Sequence, residues 1–152
     1  MRRVVTGTDE AGRSCVESDG PASATPAFAE LWAHAGGRAL ACTKAAAAPG
    51  ALEPSAGGTS WRIFELPPDE VVAAWLASQK LADADRSGFH RTETLDYVMI
   101  LDGEVTLELD RGSVALRSGD CVVQRATRHA WRNRSGRPVT MAVVMVSLRP
   151  SS

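Results

Sequence analysis

The chain has 152 residues, 44% of them hydrophobic, which is enough for one compact core and leaves no room for a second independent domain. Its 17 Lys and Arg residues are balanced by 18 Asp and Glu residues, so no positive field exists to hold a polyanion and nucleic acid is not expected as a partner. No signal peptide or apolar run of membrane-spanning length is found, which predicts a cytoplasmic protein with no membrane partner.

The first 66 residues are expected to form short strands and one loop. Val4–Thr6 and Ser14–Glu17 have strand composition and flank a turn, and Phe28–His34 is a further predicted strand. Residues 44–60 are rich in Ala, Pro and Gly and predict a flexible loop, because Pro and Gly break ladders and helices alike. Trp61–Leu66 follows as a strong strand.

Residues 67–87 predict a helix and a linker. Pro67 and Pro68 end the preceding strand, and Asp69 can cap a helix start. The residues that recur with helical spacing are Val71, Val72, Trp75, Leu76 and Gln79. The helix is amphipathic, so we expect it to pack against the rest of the domain.

Residues 88–148 have the most regular pattern. Six strands are predicted, separated by Gly-containing turns, at His90–Leu101, Glu104–Leu109, Ser113–Leu116, Asp120–Gln124, His129–Asn133 and Val139–Leu148. Short strands at such spacing indicate an antiparallel sandwich or barrel.

Two of these strands carry histidines on faces that can converge. Side chains alternate along a strand, so His90, Thr92 and Asp96 share one face. His129 and Trp131 share a face in the same way. Two imidazoles and one carboxylate are the ligand set expected for Fe, Zn, Mn or Ni, which predicts His90, Asp96 and His129 as metal ligands or as catalytic acid–base groups. The structural alternative is that both histidines are hydrogen-bonded barrel residues, held by Asp96 or Thr92.

These segments resemble the cupin superfamily. Its first motif corresponds to Gly88-Phe89-His90-Arg91-Thr92, then Asp96 and Gly103-Glu104, and its second runs from Gly119-Asp120 through Gln124 and His129 to Asn133. The resemblance implies a mainly β fold, a cupin-type jelly-roll β-barrel with one short helix before the first motif, over a single domain of residues 1–152. It also implies a homodimer, since cupin-like barrels often pair their sheet edges.

The chain departs from the family pattern at four positions. Thr92 stands where most metal cupins have a second His, and Asp96 replaces the usual Glu. Gln124 and Ala126 replace the customary Pro and Gly. The resemblance is therefore compatible with two kinds of site: a site that binds one divalent metal ion, or a polar pocket that works without a metal. No nucleotide cofactor is expected, because the chain has no phosphate-binding glycine motif.

Three functions fit this reading. The first is a small-molecule lyase, a dehydratase or decarboxylase of secondary metabolism, similar to stand-alone cupin enzymes and acting on an oxygenated carboxylic or β-hydroxycarbonyl intermediate. There His129 or His90 would transfer the proton and Asp96 would orient the imidazole. The alternatives are a non-haem Fe(II) dioxygenase and a non-catalytic small-molecule-binding domain. Candidate substrate-binding residues are Trp131, Thr92, Tyr97, Arg62, Trp32 and His34, with Arg62 able to bind a carboxylate but more readily placed at the surface.

Overall fold

The computed structural model describes residues 2–8, 10, 13–24, 28–34, 52–78 and 88–149. Eleven strands and one helix lie within these ranges. In chain order they are β1 (Arg2–Thr8), β2 (Ser14–Pro21), β3 (Ser23–Ala24), β4 (Phe28–His34), β5 (Thr59–Leu66), α1 (Asp69–Ser78), β6 (Thr94–Asp102), β7 (Glu104–Leu109), β8 (Ser113–Arg117), β9 (Cys121–Arg125), β10 (His129–Arg132) and β11 (Val139–Ser147). The predicted mainly β fold with one short helix before the first motif is confirmed.

The strands form three antiparallel sheets. The largest has the order β3-β4-β5-β11-β6-β9, a second has the order β10-β7-β8, and β1 pairs with β2 alone. The order is not sequential, because β11 lies between β5 and β6 and returns the end of the chain to the middle of the large sheet. This long-range return is characteristic of Greek-key and jelly-roll folds.

The hydrophobic core lies between the six-stranded and three-stranded sheets. It is formed by inward-facing side chains of β6, β7, β8 and β11, namely Val98, Ile100, Val105, Leu107, Leu116, Val139 and Met141. On β6 burial alternates without a break from Thr94 to Ile100, as expected for a strand with one face on the core. Burying each aliphatic side chain contributes about 1.5–3 kcal/mol, so these positions dominate the stability of the barrel.

Two tight turns of the barrel require glycine. Gly103 joins β6 to β7 with a φ of 96°, and its ideal Cβ would lie 2.9 Å from Val139 Cγ2. Gly119 precedes β9 with a φ of 92°. Both glycines belong to the segments that resemble cupin motifs, and their left-handed backbone explains why those turns need a residue without a side chain.

Several predicted boundaries were wrong. β6 begins at Thr94 and not at His90, which instead makes an isolated bridge to His129. β5 begins at Thr59, inside the range predicted as a loop, while residues 44–51 of that loop lie outside the described residues. Gln79, the last of the residues that recur with helical spacing, also lies outside them.

The hydrogen bonds at the start of α1 differ from those predicted. The amides of Val71 and Val72 bond to the Pro68 carbonyl oxygen, whereas the Asp69 carboxylate accepts a 2.8 Å bond from the Asn133 amide. Asp69 therefore ties α1 to the segment after β10 and does not cap its own helix. No described helix is both long and apolar enough to cross a bilayer.

Candidate functional site

A cavity of about 740 Å³ opens between the large sheet, β10 and α1. Six of the predicted site residues line it, namely His90, Thr92, Asp96, His129, Trp131 and Arg62. A second depression, about 600 Å³ in volume, is lined by no histidine. The histidine-bearing cavity is therefore the candidate site.

The two histidines are brought together by their own backbones. His90 and His129 exchange a pair of amide-to-carbonyl bonds, each 2.9 Å long, and their ring centroids are 4.5 Å apart with the ring planes tilted by 55°. A directly opposed antiparallel pair places both side chains on the same face. The predicted convergence of the imidazoles is thus produced by a two-residue bridge.

Backbone carbonyls fix the tautomer of both rings. His129 Nδ1 lies 2.8 Å from the Thr127 carbonyl oxygen, and His90 Nδ1 lies 3.1 Å from that of Gly88. A carbonyl oxygen only accepts, so each Nδ1 carries the proton and donates it, which leaves Nε2 as the unprotonated nitrogen of the neutral ring. The predictions that Asp96 orients an imidazole and that Asp96 or Thr92 holds the histidines were wrong, because the nearest acceptors are main-chain groups.

His129 is buried, and this sets its charge. Burial lowers the pKa of His129 below its ordinary value. The bond to Thr127 and the charge of Asp96 act in the opposite direction, while His90 lowers the pKa further. A buried imidazole of this kind stays neutral near pH 7 and can accept a proton at Nε2.

Asp96 lies on the inner face of β6 and is 6% exposed. Its Oδ1 has no hydrogen-bond partner. Burial raises the pKa of the carboxyl group, a hydrogen bond with Thr94 and attraction to both histidines offset part of the rise, and Glu53 adds to it. The Thr94 hydroxyl is itself 2.8 Å from that of Thr92. Asp96 is therefore a desolvated carboxylate with one oxygen uncommitted, a costly arrangement that is typical of functional sites.

Trp131 and Gln124 complete the polar end of the cavity. The indole of Trp131 meets the His129 ring edge-on, with a centroid separation of 6.2 Å. Gln124 is the register partner of Asp96 across β6 and β9, is buried, and hydrogen bonds to Thr127. The Thr127 segment follows Ala126, whose φ of 50° is unusual for a residue with a side chain. This is a position where the family pattern has Gly.

Arg62 was expected at the surface, and the structure corrects this. Its side chain is buried and forms an ion pair with buried Glu30, with Nε 2.8 Å from Oε2. The guanidinium also donates a 2.8 Å bond to the Leu52 carbonyl oxygen and lies 4.7 Å from the centre of the Phe28 ring. Arg62 lines the cavity, but as part of a strand-to-strand ion pair.

Two candidate residues, Tyr97 and Trp32, are not among the residues that line the described cavity. Tyr97 is 49% exposed on the outer face of β6, because it follows inward-facing Asp96 and strand side chains alternate, so its assignment as a substrate-binding residue was wrong. Trp32 pairs with Trp61 on β5 and is not among the lining residues. The side chain of His34 lies outside the described residues.

Much of the cavity wall was missed by sequence reasoning. The missed lining residues come mainly from β5, β11 and α1, and include Phe28, Phe64, Leu66, Asp69, Val72, Ala73, Met141, Val143 and Met145. The period-two pattern of β11 could have identified Met141, Val143 and Met145 as one inward face. No sequence signal indicates that this face lies opposite the histidines.

A cupin resemblance implies a metal, so the donor set was tested against the geometry. Two imidazoles with unprotonated Nε2 atoms and a carboxylate with an uncommitted oxygen are suitable donors in kind. Yet residues 52–78 and 88–149, like the rest of the described chain, contain no group of three or more His, Cys, Asp or Glu side chains placed to hold one ion. Thr92 occupies the position of the missing ligand, and Asp is one methylene shorter than Glu. The side chains as placed do not fit a three-ligand metal site.

Fold and site together define a class: an antiparallel β-barrel whose interior cavity carries paired histidines and a buried carboxylate. The family model described as a cupin domain matches residues 78–146. The part of the chain that carries the paired histidines is therefore similar to a cupin domain.

Curated relatives match shorter segments of the chain. A segment of 47 residues is 60% identical to the phomopsin biosynthesis cluster protein C' of Diaporthe leptostromiformis, covering 30% of this chain and 25% of that protein. A segment of 68 residues is 41% identical to the cupin-domain-containing oxidoreductase virC of Hypocrea virens, covering 42% of this chain and 35% of that protein. The matches thus span a quarter to about a third of the relatives' length.

Solved structures show weaker similarity. A double-stranded β-helix cupin from Methanocaldococcus jannaschii aligns with a TM-score of 0.43 at 16% identity, covering 59% of this chain and 70% of that one. A cupin barrel protein from Salinispora arenicola aligns with a TM-score of 0.42 at 15% identity, covering 59% of this chain and 64% of that one.

Proposed function

We propose that this protein is a lyase of small-molecule biosynthesis that uses its paired histidines for acid–base chemistry on an oxygenated carbonyl compound. The observation that carries the proposal is the His90–His129 pair, in which main-chain carbonyls leave both Nε2 atoms without a proton beside a buried carboxylate. The relatives named as biosynthesis cluster proteins support the setting.

For a β-hydroxycarbonyl substrate the reaction is an elimination of water. His129 Nε2 takes the proton on the carbon next to the carbonyl, and the electrons of that C–H bond form the new double bond. The bond to the β-hydroxyl breaks, and this oxygen takes the proton back from the His129 imidazolium and leaves as water. Asp96 stabilises the imidazolium formed at His129, consistent with their electrostatic attraction.

His90 lies at the cavity mouth, where its unprotonated Nε2 can accept a hydrogen bond from the β-hydroxyl and orient it for the elimination. Its side chain is exposed, whereas His129 is 3% exposed. Because His129 returns the proton to the leaving oxygen, its imidazole is neutral again at the end of each turnover. Acid–base help of this kind contributes roughly 10²- to 10⁴-fold to the rate, so the apolar wall must also position the substrate.

The test uses the aldol adduct of acetone and benzaldehyde, which loses water to give the ultraviolet-absorbing product benzylideneacetone. We expect the wild-type protein to accelerate this elimination, and to accelerate exchange of the α-proton in deuterium oxide as followed by NMR. His129→Gln should lower both rates by about 10²-fold or more. Tyr97→Phe, on the outer face of the same barrel, should change neither. Equal rates for wild type and His129→Gln would contradict the proposal.

A metal-dependent oxidoreductase is the second candidate, and the names of three relatives favour it. The discriminating measurement is elemental analysis of protein purified without chelator, alongside His129→Ala and Asp96→Ala. Stoichiometric iron that is lost in both variants, with oxygen uptake after anaerobic iron loading, would support this candidate over the lyase. A non-catalytic binding domain would show ligand binding that weakens in His129→Ala, with no turnover in either protein.

We also propose that the protein forms a homodimer, through a face of the large sheet in place of the sheet edges expected from the sequence. Two uncharged, largely apolar rows cross the outer face of the large sheet, Trp61–Val144–Tyr97–Val123 and Ile63–Ala142–Met99–Cys121. Four strands about 4.8 Å apart, with two outward residues on each over about four residues of strand, give a face of roughly 260 Å² before side-chain relief is counted. A stable interface buries about 800 Å² from each partner, so these rows supply the apolar centre and neighbouring polar residues the rim. We propose that a second copy of the chain covers this face.

Sedimentation velocity tests the interface. Met99→Glu places a charge in the centre of the apolar rows and should convert a wild-type dimer to monomer. Val114→Glu is the matched control, since Val114 is similarly exposed (46% against 45%) but belongs to the three-stranded sheet. A wild-type monomer at micromolar concentration, or a dimer that persists in Met99→Glu, would contradict it.

A further inference from the structure

The cavity has an apolar body and one polar end. Met141, Val143 and Met145 of β11 line the wall, and Phe64 lies on the neighbouring strand β5. Thr92, Asp96 and Gln124 line the cavity beside the paired histidines. A ligand that fills this space needs an apolar body and a polar head group that reaches His129.

The two cations that line the described cavity are already paired with carboxylates. Arg62 Nε lies 2.8 Å from Glu30 Oε2, and Arg132 Nε lies 2.7 Å from Glu108 Oε2. The Arg62 pair is almost completely buried, so its positive charge is compensated where it stands. A substrate carboxylate would gain little net attraction from either guanidinium.

The acidic groups at the polar end act against an anionic substrate. Asp96 has an uncommitted Oδ1 in the cavity wall, and the negative charge of Glu53 acts on the same carboxylate and raises its pKa. A carboxylate head group placed at His129 would lose its hydration and would lie close to Asp96 as well. Like charges in a partly desolvated site repel strongly.

We infer that the substrate is an uncharged carbonyl or hydroxycarbonyl compound with an apolar body, and that carboxylic acids are poor ligands. This inference rests on the proposed function for the role of the histidines. It selects dehydration over decarboxylation, because a decarboxylase must bind its substrate as the carboxylate. It also narrows the substrate class predicted from the sequence, which included carboxylic intermediates.

Calorimetric titration with two probes of the same shape tests the inference. Benzylacetone and hydrocinnamate differ only in a methyl ketone replaced by a carboxylate. We expect the wild-type protein to bind benzylacetone at least about tenfold more tightly at pH 7.5. In Asp96→Asn the ratio of the two dissociation constants should be smaller, because hydrocinnamate should bind more tightly than it does to the wild type. Equal or tighter binding of hydrocinnamate, or no binding of benzylacetone at millimolar concentration, would overturn the inference.

A second variant tests whether Arg62 binds the carboxylate of a ligand. Arg62→Met combined with Glu30→Leu removes the ion pair without leaving a buried charge. If the inference holds, this variant keeps the preference for benzylacetone. Selective loss of hydrocinnamate binding would show that Arg62 holds a substrate carboxylate and would overturn the inference. Should the double variant not fold, the Asp96→Asn comparison decides alone.

The failure of this inference can be told apart from the failure of the proposed function. Binding preference is measured without turnover, whereas the lyase proposal is measured by α-proton exchange and water elimination. Tight hydrocinnamate binding with His129-dependent proton exchange would overturn only the substrate class. Preferred benzylacetone binding without any exchange would overturn only the reaction.

Discussion

Replacing Asp96 by Asn should stabilise the protein at neutral pH. The Asp96 side chain is buried, and its Oδ1 lacks a hydrogen-bond partner. A buried polar group without a partner costs about 1–3 kcal/mol, and an ionised group costs more. Attraction to His90 and His129 offsets part of this cost. We therefore expect the free energy of unfolding of Asp96→Asn to exceed that of the wild type by about 1 kcal/mol at pH 8, a rise in Tm of about 2–4 °C for a chain of this size.

The pH dependence of this stability difference is a second test of its sign. Burial raises the pKa of Asp96 in the folded protein above its ordinary value of 3.8, so the folded state binds the proton more readily than the unfolded state. The wild type therefore loses stability as the pH rises through the folded-state pKa, and Asn does not. The advantage of Asp96→Asn should be complete at pH 8 and should shrink towards zero near pH 3, where Asp96 is protonated in both states.

Thermal melts of both proteins between pH 3 and pH 8 measure this difference. Asp102→Asn is the matched control, because Asp102 is exposed and its pKa is lowered by the hydrogen bond from Arg137. That substitution should give no gain at pH 8. A Tm for Asp96→Asn below that of the wild type at pH 8 would refute the reasoning, since it would show that attraction to the histidines outweighs the cost of burial.

Two further results are expected. NMR titration should find that the pKa of His129 is higher in His90→Gln than in the wild type, because His90 disfavours the imidazolium. It should be lower in Asp96→Asn, because the Asp96 carboxylate favours the imidazolium. An unchanged pKa of His129 in both variants would contradict these two electrostatic interactions. Gly103→Ala should unfold at lower urea concentration than Gly112→Ala. Both positions have a positive φ, but only at Gly103 would a new Cβ meet the Val139 side chain. Equal losses of unfolding free energy, each about 1 kcal/mol, would indicate that backbone strain alone matters.

Local patterns were sufficient to predict the barrel strands and one side of the site. The alternation from Thr92 to Ile100 placed Asp96 inward, and the structure has this register. The limits of β4 and β7 were also correct, because turn residues at their ends are recognised without knowledge of the partner strand. Where the chain leaves regular structure, as between His90 and Thr94, the period-two rule gave a strand that is too long.

The orientation of the histidines was beyond sequence reasoning. Asp96 was the natural choice as their partner, since a carboxylate is the strongest acceptor nearby. The structure instead uses the carbonyl oxygens of Gly88 and Thr127, each two residues before the ring that it holds. Such bonds depend on the local path of the main chain, including the positive φ of Ala126, and side-chain identity does not reveal them.

The sequence by itself determined a β-rich chain with a single helix and an inward face bearing His90, Thr92 and Asp96, because strand periodicity and turn chemistry act over a few residues. Only the tertiary structure decided which side chains the site residues contact. The ion pair of Arg62 with Glu30 joins positions 32 residues apart, and the wall opposite the histidines comes from β11 near the end of the chain. Both depend on which strands become neighbours, and that choice is made by burial of the whole core.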